Sequence, residues 1–233
     1  MRTTSIGDRA LVRLIPATYH KPPALRGLVD SDAELEILAE IEGLTSARLQ
    51  AERGRNLHID RRELAWERRR HDLRVYGNSH INAAFTYTRA GGNRFNDGRR
   101  GAWYCSWHVL TSVAEVAFHR TRELGFIGIY RDSARYVELL ADFIGEYPDL
   151  SDEVGHPALQ PDPVQGYPAG QALALALQRA GHRGLIYPSV RQAGGRCLVA
   201  FDPNAIQNVR PGASWALVWD GSPDYSVTAL AAA

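Results

Sequence analysis

The spacing of apolar side chains predicts three helices in this chain. In each segment apolar residues recur at intervals of three and four, which places them on one face of a helix. The predicted helices cover residues 30–51, 109–123 and 168–180. Gly125 and Gly181 follow the second and third helices and suit C-terminal caps, because glycine adopts the left-handed backbone conformation without steric cost. The predicted inward face of the second helix consists of Leu110, Val113, Ala114, Ala117 and Phe118.

Short apolar runs bounded by glycine, proline or aspartate predict the strands. These runs are residues 10–15, 81–88, 102–106, 126–130, 184–187, 196–201 and 215–219, and residues 136–140 extend the sheet. Residues 145–165 are rich in proline and acidic side chains and predict a loop. This order of elements, without an internal repeat, favours a single α+β domain with a mixed or antiparallel sheet and surrounding helices over residues 1–233. Its core is expected at roughly 10–24 and 74–220, with a helical insertion at roughly 25–73.

The composition is that of an ordinary soluble globular protein. Apolar residues make up 45% of the 233 residues and charged residues 23%, enough for one sizeable core or two small ones. A formal net charge of +1 gives no general attraction to nucleic acid or to an anionic membrane. Neither a leader segment nor an apolar run of membrane-spanning length is present, so we expect a cytoplasmic protein. Cys105 and Cys197 both lie in apolar runs and are expected to be buried free thiols.

The clearest chemical signal lies in Gly91-Gly92-Asn93-Arg94-Phe95-Asn96-Asp97-Gly98 and the residues that follow it. Tyr104 comes ten residues after Arg94, and Glu115 comes eleven residues after Tyr104. Ser189 occurs much later, in Gly184-Leu185-Ile186-Tyr187-Pro188-Ser189-Val190-Arg191. The fork of donors on arginine matches two phosphate oxygens, and a carboxylate stabilises a cationic sugar centre. A cation, an aromatic ring, a carboxylate and a hydroxyl together suit an anionic dinucleotide that has a labile glycosidic bond.

Each of these residues also has a purely structural interpretation. Arg94 suits an exposed charge in a glycine-rich turn, and Tyr104 suits a position in the core or on an edge strand. Ser112 and Glu115 have the spacing of a helix capping box. Ser189 follows a proline at a strand end and suits a turn. From the residues alone, both interpretations stay open for all four positions.

Arg13 is a second candidate cation, because an arginine within an apolar strand needs a partner. That partner is either an anionic ligand or an internal carboxylate, and Arg74 competes with Arg13 for the same role. Glu115 and His119 are four residues apart, as metal ligands on one helix face are, but no third ligand is evident and we expect no metal. The sequence contains no phosphate-binding P-loop, dinucleotide-binding glycine motif or nucleophile elbow. Ordinary phosphoryl transfer, nicotinamide redox and α/β-hydrolase chemistry are therefore unsupported.

This pattern resembles the RES-domain family, named for its Arg, Glu and Ser residues. The resemblance extends from about Arg13 to about Asp220, and Arg-Leu-Ile-Pro near the start is similar to a first strand that carries an early arginine in the family. The chain has Gly-Gly-Asn-Arg-Phe-Asn where many members have Gly-Gly-Arg-Trp-Asn. Members are toxins of Xre–RES toxin–antitoxin pairs, and their fold is similar to that of ADP-ribosyltransferase toxins.

The resemblance implies a toxin that degrades NAD+ at the bond between nicotinamide and ribose and so arrests bacterial growth. Water or inorganic phosphate would be the acceptor, and NAD+ is a substrate, so neither a cofactor nor a metal is implied. Arg94 and Arg13 would hold phosphates, Tyr104 would pack on the nicotinamide side, Glu115 would stabilise the ribosyl cation, and Ser189 would bind the nucleotide. An Xre-type antitoxin would cover the cleft. Both a homo-oligomer and a hetero-oligomer with the antitoxin are compatible with the sequence.

Two other functions stay open. ADP-ribosyl transfer to a protein shares the first half of the mechanism and differs in the acceptor. Such transferases often have an acidic residue or glutamine two positions before the catalytic glutamate, whereas this chain has Val113, which favours a small acceptor. The other alternative is a catalytically silent binding module that has kept the cleft.

Overall fold

The computed structural model describes residues 1–20, 45–65, 76–153 and 155–231. Within these ranges the chain forms seven strands and four α-helices. The strands are β1 (Arg2–Pro16), β2 (Trp103–Ser106), β3 (Arg131–Asp149), β4 (Gly184–Pro188), β5 (Arg196–Ala200), β6 (Gln207–Asp220) and β7 (Ser226–Leu230). The helices are α1 (Ala47–Glu52), α2 (Asn78–Thr86), α3 (Val109–Ile127) and α4 (Pro163–Arg179).

All seven strands belong to one sheet, in the order β1-β2-β5-β4-β3-β6-β7. β1 pairs with β3 as well as with β2, so five of the strands form a closed circuit of pairings. The only parallel pair among the described strands is β3–β4, which meet at Asp149 and Ile186, and all other pairs are antiparallel. The predicted α+β class with a mixed, largely antiparallel sheet is therefore confirmed.

The long strand β3 organises the sheet, because β1 lies along one of its edges and β6 along the other. Both neighbours change register near Asp142, and each has a residue with a positive φ there: Ala10 at 62° and Asn208 at 50°. The carboxylate of Asp142 accepts hydrogen bonds from the Ala10 amide (2.9 Å), the Asn208 side chain (2.8 Å) and Arg210 (2.9 Å). One carboxylate therefore fixes the irregularities of both neighbouring strands.

Helices α3 and α4 pack on the sheet and leave a cleft between them. The buried face of α3, which includes Val113, Ala117 and Leu124, packs on β1, β3 and β6. The buried face of α4 packs with Phe95 on the side of the sheet that β4 and β5 form. The short strand β2 lies between β1 and β5, so its residues reach the floor between the two helices.

The prediction of a strand or an extended segment over residues 81–88 is wrong for residues 81–86, which belong to α2. Ile81, Ala84 and Phe85 are the buried apolar residues of this helix, and their spacing of three and four is helical. Thr86 is also compatible with a helix, because its hydroxyl donates to the backbone oxygen of Asn82 one turn earlier (2.9 Å). Helical spacing and burial outweigh the strand propensity of the Phe-Thr-Tyr-Thr sequence.

The predicted strand over residues 126–130 is also wrong, since α3 continues to Ile127. Gly128, at φ 74°, takes the left-handed position that we expected at Gly125, and its amide donates to the Leu124 carbonyl (2.9 Å). The helix thereby ends later and presents apolar residues to the solvent. Leu110, predicted to face inward, is 53% exposed.

The predicted loop over residues 145–165 is shorter in the structure. β3 continues to Asp149, because Phe143 and Tyr147 are buried and the strand stays paired with the first half of β1. α4 already begins at Pro163, where the Asp162 side chain accepts the Val164 amide (2.9 Å). The chain also continues beyond the predicted final strand, with β7 paired to β6.

The other predicted strands of the core and the helix over residues 109–123 are confirmed. The predicted helix over residues 30–51 lies mostly outside the described residues, where only α1 covers its end. None of the described helices combines the length and the apolar character that a membrane span requires.

Candidate active site

A cavity of about 210 Å³ lies between α3 and α4, above β2 and the loops that follow the neighbouring strands. Arg13, Arg94, Tyr104 and Glu115 all line it, although they come from β1, a loop, β2 and α3. Ser189 lies behind Glu115 and contacts its carboxylate. The fold therefore brings the five predicted site residues together around one cavity.

Glu115 and Ser189 form the closest polar contact of the site. The Ser189 hydroxyl donates to Oε1 of Glu115 at 2.6 Å. The same hydroxyl accepts the backbone amides of Arg191 and Gln192, both at 3.1 Å, in the turn that follows β4. Because these amides fix its position, Ser189 orients the carboxylate on α3 from a different part of the fold.

The surroundings of Glu115 raise its pKa above that of a free glutamate. Burial raises the pKa of the carboxyl, and the hydrogen bond from Ser189 and the charges of Arg191 and Arg94 counteract part of this effect. The capping-box interpretation is wrong, because α3 begins at Val109 and Glu115 contacts Ser189. The Ser112 hydroxyl donates to the Val12 carbonyl of β1 at 2.7 Å. Glu115 is thus a half-buried carboxyl held at the cavity wall.

Arg94 is buried, with 7% of its surface exposed, so it is not the exposed charge of a turn. Its Nη1 atom donates to the carbonyl oxygens of Ala158 (2.7 Å) and Gln160 (2.8 Å), and its guanidinium lies over the ring of Tyr167 (5.4 Å to the centroid). These contacts tie the glycine-rich stretch to the loop before α4. Arg94 therefore supports the cavity wall as well as lining it.

Tyr104 holds the loop that carries Arg94. Its hydroxyl accepts the Phe95 amide (3.0 Å) and donates to Oδ1 of Asn96 (2.8 Å). Burial raises the pKa of Tyr104, so the phenol stays protonated and keeps both contacts. The hydroxyl is thus committed to the loop, and the ring is the part that faces the cavity.

The backbone of α4 also approaches this loop closely. A side chain at Gly170 would meet the carbonyl oxygen of Arg94, and one at Gly166 would meet the carbonyl oxygen of Gln160 and the Arg94 guanidinium. Gln171, one residue further along the helix, donates to the carbonyl oxygens of Gly91 and Asn93, each at 3.0 Å. This wall of the cavity is therefore built from backbone in direct contact with backbone.

Arg13 extends from β1 towards the cavity floor. It donates to the Tyr104 carbonyl (3.3 Å), and its guanidinium lies 4.9 Å from the centre of the Trp103 ring. Burial lowers the pKa of Arg13 to about 10. Within the described ranges no carboxylate pairs with Arg13, so the structure gives no support there to the alternative of an internal ion pair. Its competitor, Arg74, lies outside the described residues.

Arg191 borders the cavity but was not predicted as a site residue. Its guanidinium carbon lies 3.3 Å from the centre of the Phe118 ring, and its Nη2 atom donates to the Pro161 carbonyl (2.6 Å). Its Nε atom is buried without a hydrogen-bond partner among the described residues. The sequence feature that could have identified Arg191 is its position two residues after Ser189, within the same motif.

His119 and Tyr167 also line the cavity and were not predicted to do so. Nδ1 of His119 lies 3.2 Å from Nη1 of Arg89. Burial, together with the positive charges of Arg89 and Arg191, lowers the pKa of His119 to about 4, so the imidazole is neutral at physiological pH. Across the described ranges no group of three or more histidine, cysteine, aspartate and glutamate side chains is arranged to hold a metal ion.

The site therefore combines one oriented carboxyl group with several cations and three tyrosine rings. Arg13, Arg94 and Arg191 supply positive charge around Glu115. Such a site binds an anionic ligand and places one negative charge where a positive charge develops in a transition state. This is a different arrangement from the paired carboxylates of most glycosidases.

Comparison with known proteins agrees with this geometry. The family model of the RES domain matches residues 64–220, more than half of the chain. The match includes Arg94, Tyr104, Glu115 and Ser189, whereas Arg13 precedes it. No curated protein matches the chain. The extent of the family match shows that this chain belongs to the RES domain family.

Proposed function

We propose that this protein degrades NAD+ by cleaving the bond between nicotinamide and ribose, as the toxin of a bacterial toxin–antitoxin module. The RES domain is associated with enzymes that act on NAD+. The observation that carries the proposal is the Glu115 carboxyl, held at 2.6 Å by Ser189 in a cavity whose lining also includes three arginines and three tyrosines. That set matches the two demands of the substrate: anionic phosphates and a positive charge at ribose.

The reaction requires little acid assistance, because the nicotinamide of NAD+ is a cationic leaving group. The C1′–N bond breaks, and nicotinamide departs as a neutral molecule with both bonding electrons. The remaining ribosyl centre has oxocarbenium character, which the ionised Glu115 stabilises across the cavity. An oxygen of water then bonds to C1′ and a proton is released, which gives ADP-ribose. If an oxygen of inorganic phosphate bonds to C1′ instead, the product is ADP-ribose 1″-phosphate.

The other residues hold the substrate or the site. Arg13 and Arg94 bind phosphate oxygens in this proposal, and the ring of Tyr104 packs on the nicotinamide side. Because one edge of Arg94 is already bonded to Ala158 and Gln160, its role is to support the loop as well as to supply charge. Ser189 acts by orienting Glu115, a narrower role than direct contact with the nucleotide.

The test is incubation of NAD+ with the purified protein, with and without inorganic phosphate, followed by mass analysis of the products. We expect free nicotinamide together with ADP-ribose, or with its 1″-phosphate when phosphate is present. Glu115→Gln protein, shown to be folded, is the matched control and should leave NAD+ intact. If folded wild-type protein, free of any bound partner, leaves NAD+ intact in both samples, the proposed reaction is wrong.

Transfer of ADP-ribose to a protein is the second candidate, and Val113 disfavours it. In transferases of this type the position two before the catalytic glutamate is often an acidic residue or glutamine. Here Val113 is 2% exposed and packs in the core beneath α3, so it is not available to an acceptor. Mass analysis of a cell extract incubated with the protein and NAD+ would detect modified proteins if this alternative holds.

An antitoxin of the Xre type is the partner that we propose for the cleft, in the cytoplasm where NAD+ is abundant. An arginine-lined cavity suits an acidic or carboxylate-bearing segment of such a partner. We expect the protein to lose NAD+ cleavage when the antitoxin encoded beside it is added in equimolar amount. Full activity in the presence of bound antitoxin would show that the partner does not cover the site.

A further inference from the structure

A second cavity, of about 440 Å³, adjoins the active-site cavity and shares His119 and Tyr167 with it. We call this space the outer groove. Its lining includes Arg89, Arg122, Phe126 and Val164. The inner cavity, at about 210 Å³, is smaller than the ~300–1,000 Å³ of most ligand pockets, so a dinucleotide bound there extends beyond it.

Two exposed apolar side chains flank the outer groove from different helices. Phe126, near the end of α3, is 77% exposed, and Val164, at the start of α4, is 76% exposed. Single exposed apolar residues are common on protein surfaces, but these two line the same groove beside a catalytic cavity. The Arg122 guanidinium covers the Phe126 ring at 5.5 Å. An aromatic ring backed by an arginine is a surface that binds a planar base by stacking.

The outer groove also carries positive charge. Arg89 is held in place by Glu123 (2.7 Å) and by His119 (3.2 Å). Arg122 is exposed, and in the part of the chain that the structure describes it has no carboxylate partner. Its charge is therefore available to a phosphate. The groove thus offers an apolar site for a base and a cation for a phosphate, side by side.

We propose that the outer groove binds the adenylate half of NAD+, with the adenine base stacked on Phe126 and a phosphate beside Arg122. The nicotinamide ribose then lies in the inner cavity at Glu115, and the chain of phosphates passes His119 and Tyr167, the residues that the two cavities share. This assignment rests on the proposed function. It names Phe126 and Arg122 as residues that select a dinucleotide over a mononucleotide.

A third cavity, of about 790 Å³, reaches the other side of α3 and supplies the control. It contains an exposed aromatic residue as well, Tyr19 (73% exposed). Of its arginines, Arg120 is paired with Asp132 at 2.6 Å and Arg89 with Glu123 at 2.7 Å. Arg135 is exposed, but it stacks on no aromatic ring among the described residues. This cavity therefore lacks the arginine-backed aromatic ring of the outer groove, and we expect no contact of Tyr19 with the nucleotide.

The experiment compares cleavage of NAD+ with cleavage of nicotinamide mononucleotide, which has the same scissile bond but no adenylate. Phe126→Ala should lower kcat/KM for NAD+ by about tenfold, mainly through KM, because stacking of one base contributes about 1–3 kcal/mol. The same variant should cleave the mononucleotide as the wild-type protein does. Tyr19→Ala, the matched control, should cleave both substrates like the wild type.

Three results would overturn the proposal: an equal effect of Phe126→Ala on both substrates, no effect on either, or a loss selective for NAD+ in Tyr19→Ala. Failure of the proposed function is distinguishable, because the wild-type protein would then cleave neither substrate. In that case calorimetric titration of the protein with AMP tests the adenylate site independently of cleavage. Binding to the wild type that weakens in Phe126→Ala supports the groove as an adenylate site, and absence of binding overturns it.

Discussion

The contact between Ser189 and Glu115 couples the charge of a carboxyl to a hydroxyl that is 74 residues away in sequence. The hydrogen bond stabilises the ionised carboxylate, so its removal in Ser189→Ala should raise the pKa of Glu115 further. We expect the acid limb of the pH profile of kcat/KM for NAD+ to move to higher pH in this variant. Ser189→Thr, which keeps the hydroxyl, should restore the wild-type limb. A uniform loss of activity with an unchanged pH profile would instead indicate a merely structural serine.

Glu115→Gln should abolish turnover and leave the fold at least as stable as before. The folded protein has a raised Glu115 pKa, so it keeps this proton to higher pH than the unfolded chain does. The contribution of Glu115 to stability therefore declines as pH rises from the ordinary pKa of a glutamate through the raised pKa, and above both values the ionised carboxylate destabilises the fold relative to a neutral side chain. Thermal unfolding at neutral pH should show an equal or higher Tm for the variant. A clearly lower Tm would contradict the sign of this effect.

The bulge in β1 lowers the stability of the fold, and we expect that a glycine at position 10 would restore part of it. Ala10 has a φ of 62°, a region that disfavours residues with a Cβ atom by about 1–2 kcal/mol. Ala10→Gly should raise the free energy of unfolding by up to about 1 kcal/mol once the entropy of glycine is included. Ala216→Gly in β6, where the backbone is extended, should lower it by about 0.5–1 kcal/mol. Urea titration of both variants would measure the difference.

The junction between the glycine-rich loop and α4 depends on Arg94. Arg94→Ala leaves the buried carbonyl of Ala158 and the carbonyl of Gln160 without their donor, which costs about 1–3 kcal/mol of stability. We therefore expect Arg94→Ala to lower the Tm as well as to weaken NAD+ binding. From the sequence alone, weaker binding was the main effect expected. Arg99→Ala, on the same loop but with an exposed side chain paired to Asp97, should change Tm little. Equal Tm values for the two variants would show that the Arg94 contacts are dispensable.

For the molecule as a whole, stability in acid should be lost in two stages. The pKa of His119 is about 4 in the fold and 6.5 ordinarily, so its contribution declines as pH falls between these values. Arg89, Arg191 and Arg122 face the imidazole and oppose its protonation. Hydrogen bonds hold the pKa of Asp142 below its usual value despite burial, so its contribution is lost at still lower pH.

His119→Asn isolates the first of these stages, because the variant has no titrating group at this position. Its Tm should change less than that of the wild type as pH falls from 6.5 to about 4. Below that range both proteins should lose stability together. Parallel Tm curves over the whole acid range would assign the first stage to other groups.

The sequence predicted most strands of the sheet, and the resemblance to the family singled out Arg94, Tyr104 and Glu115, which the fold brings to one cavity. These three residues lie within one short segment of the chain. The bond from Ser189 to Glu115 joins the turn after β4 to α3, two parts of the chain that local patterns do not relate. Arg191 was missed for a related reason, since its partners Phe118 and Pro161 come from two distant elements.

Errors in the elements have equally local causes. Residues 81–88 carry strand-forming side chains in a helix that the surrounding core stabilises, so propensity and packing disagree there. Gly125 stays inside α3, while Gly128 has the left-handed conformation that ends the helix.

The contact of Gly166 and Gly170 with the Arg94 loop restricts which substitutions this protein can accept in evolution. Even a methyl group at Gly170 would clash with the Arg94 carbonyl oxygen and separate the helix from the loop. That wall of the cleft therefore tolerates almost no substitution at this position. The facing wall, at the exposed end of α3, has no such limit, because Phe126 contacts solvent over most of its surface. Substrate preference can therefore drift at one wall while the catalytic chemistry is conserved at the other.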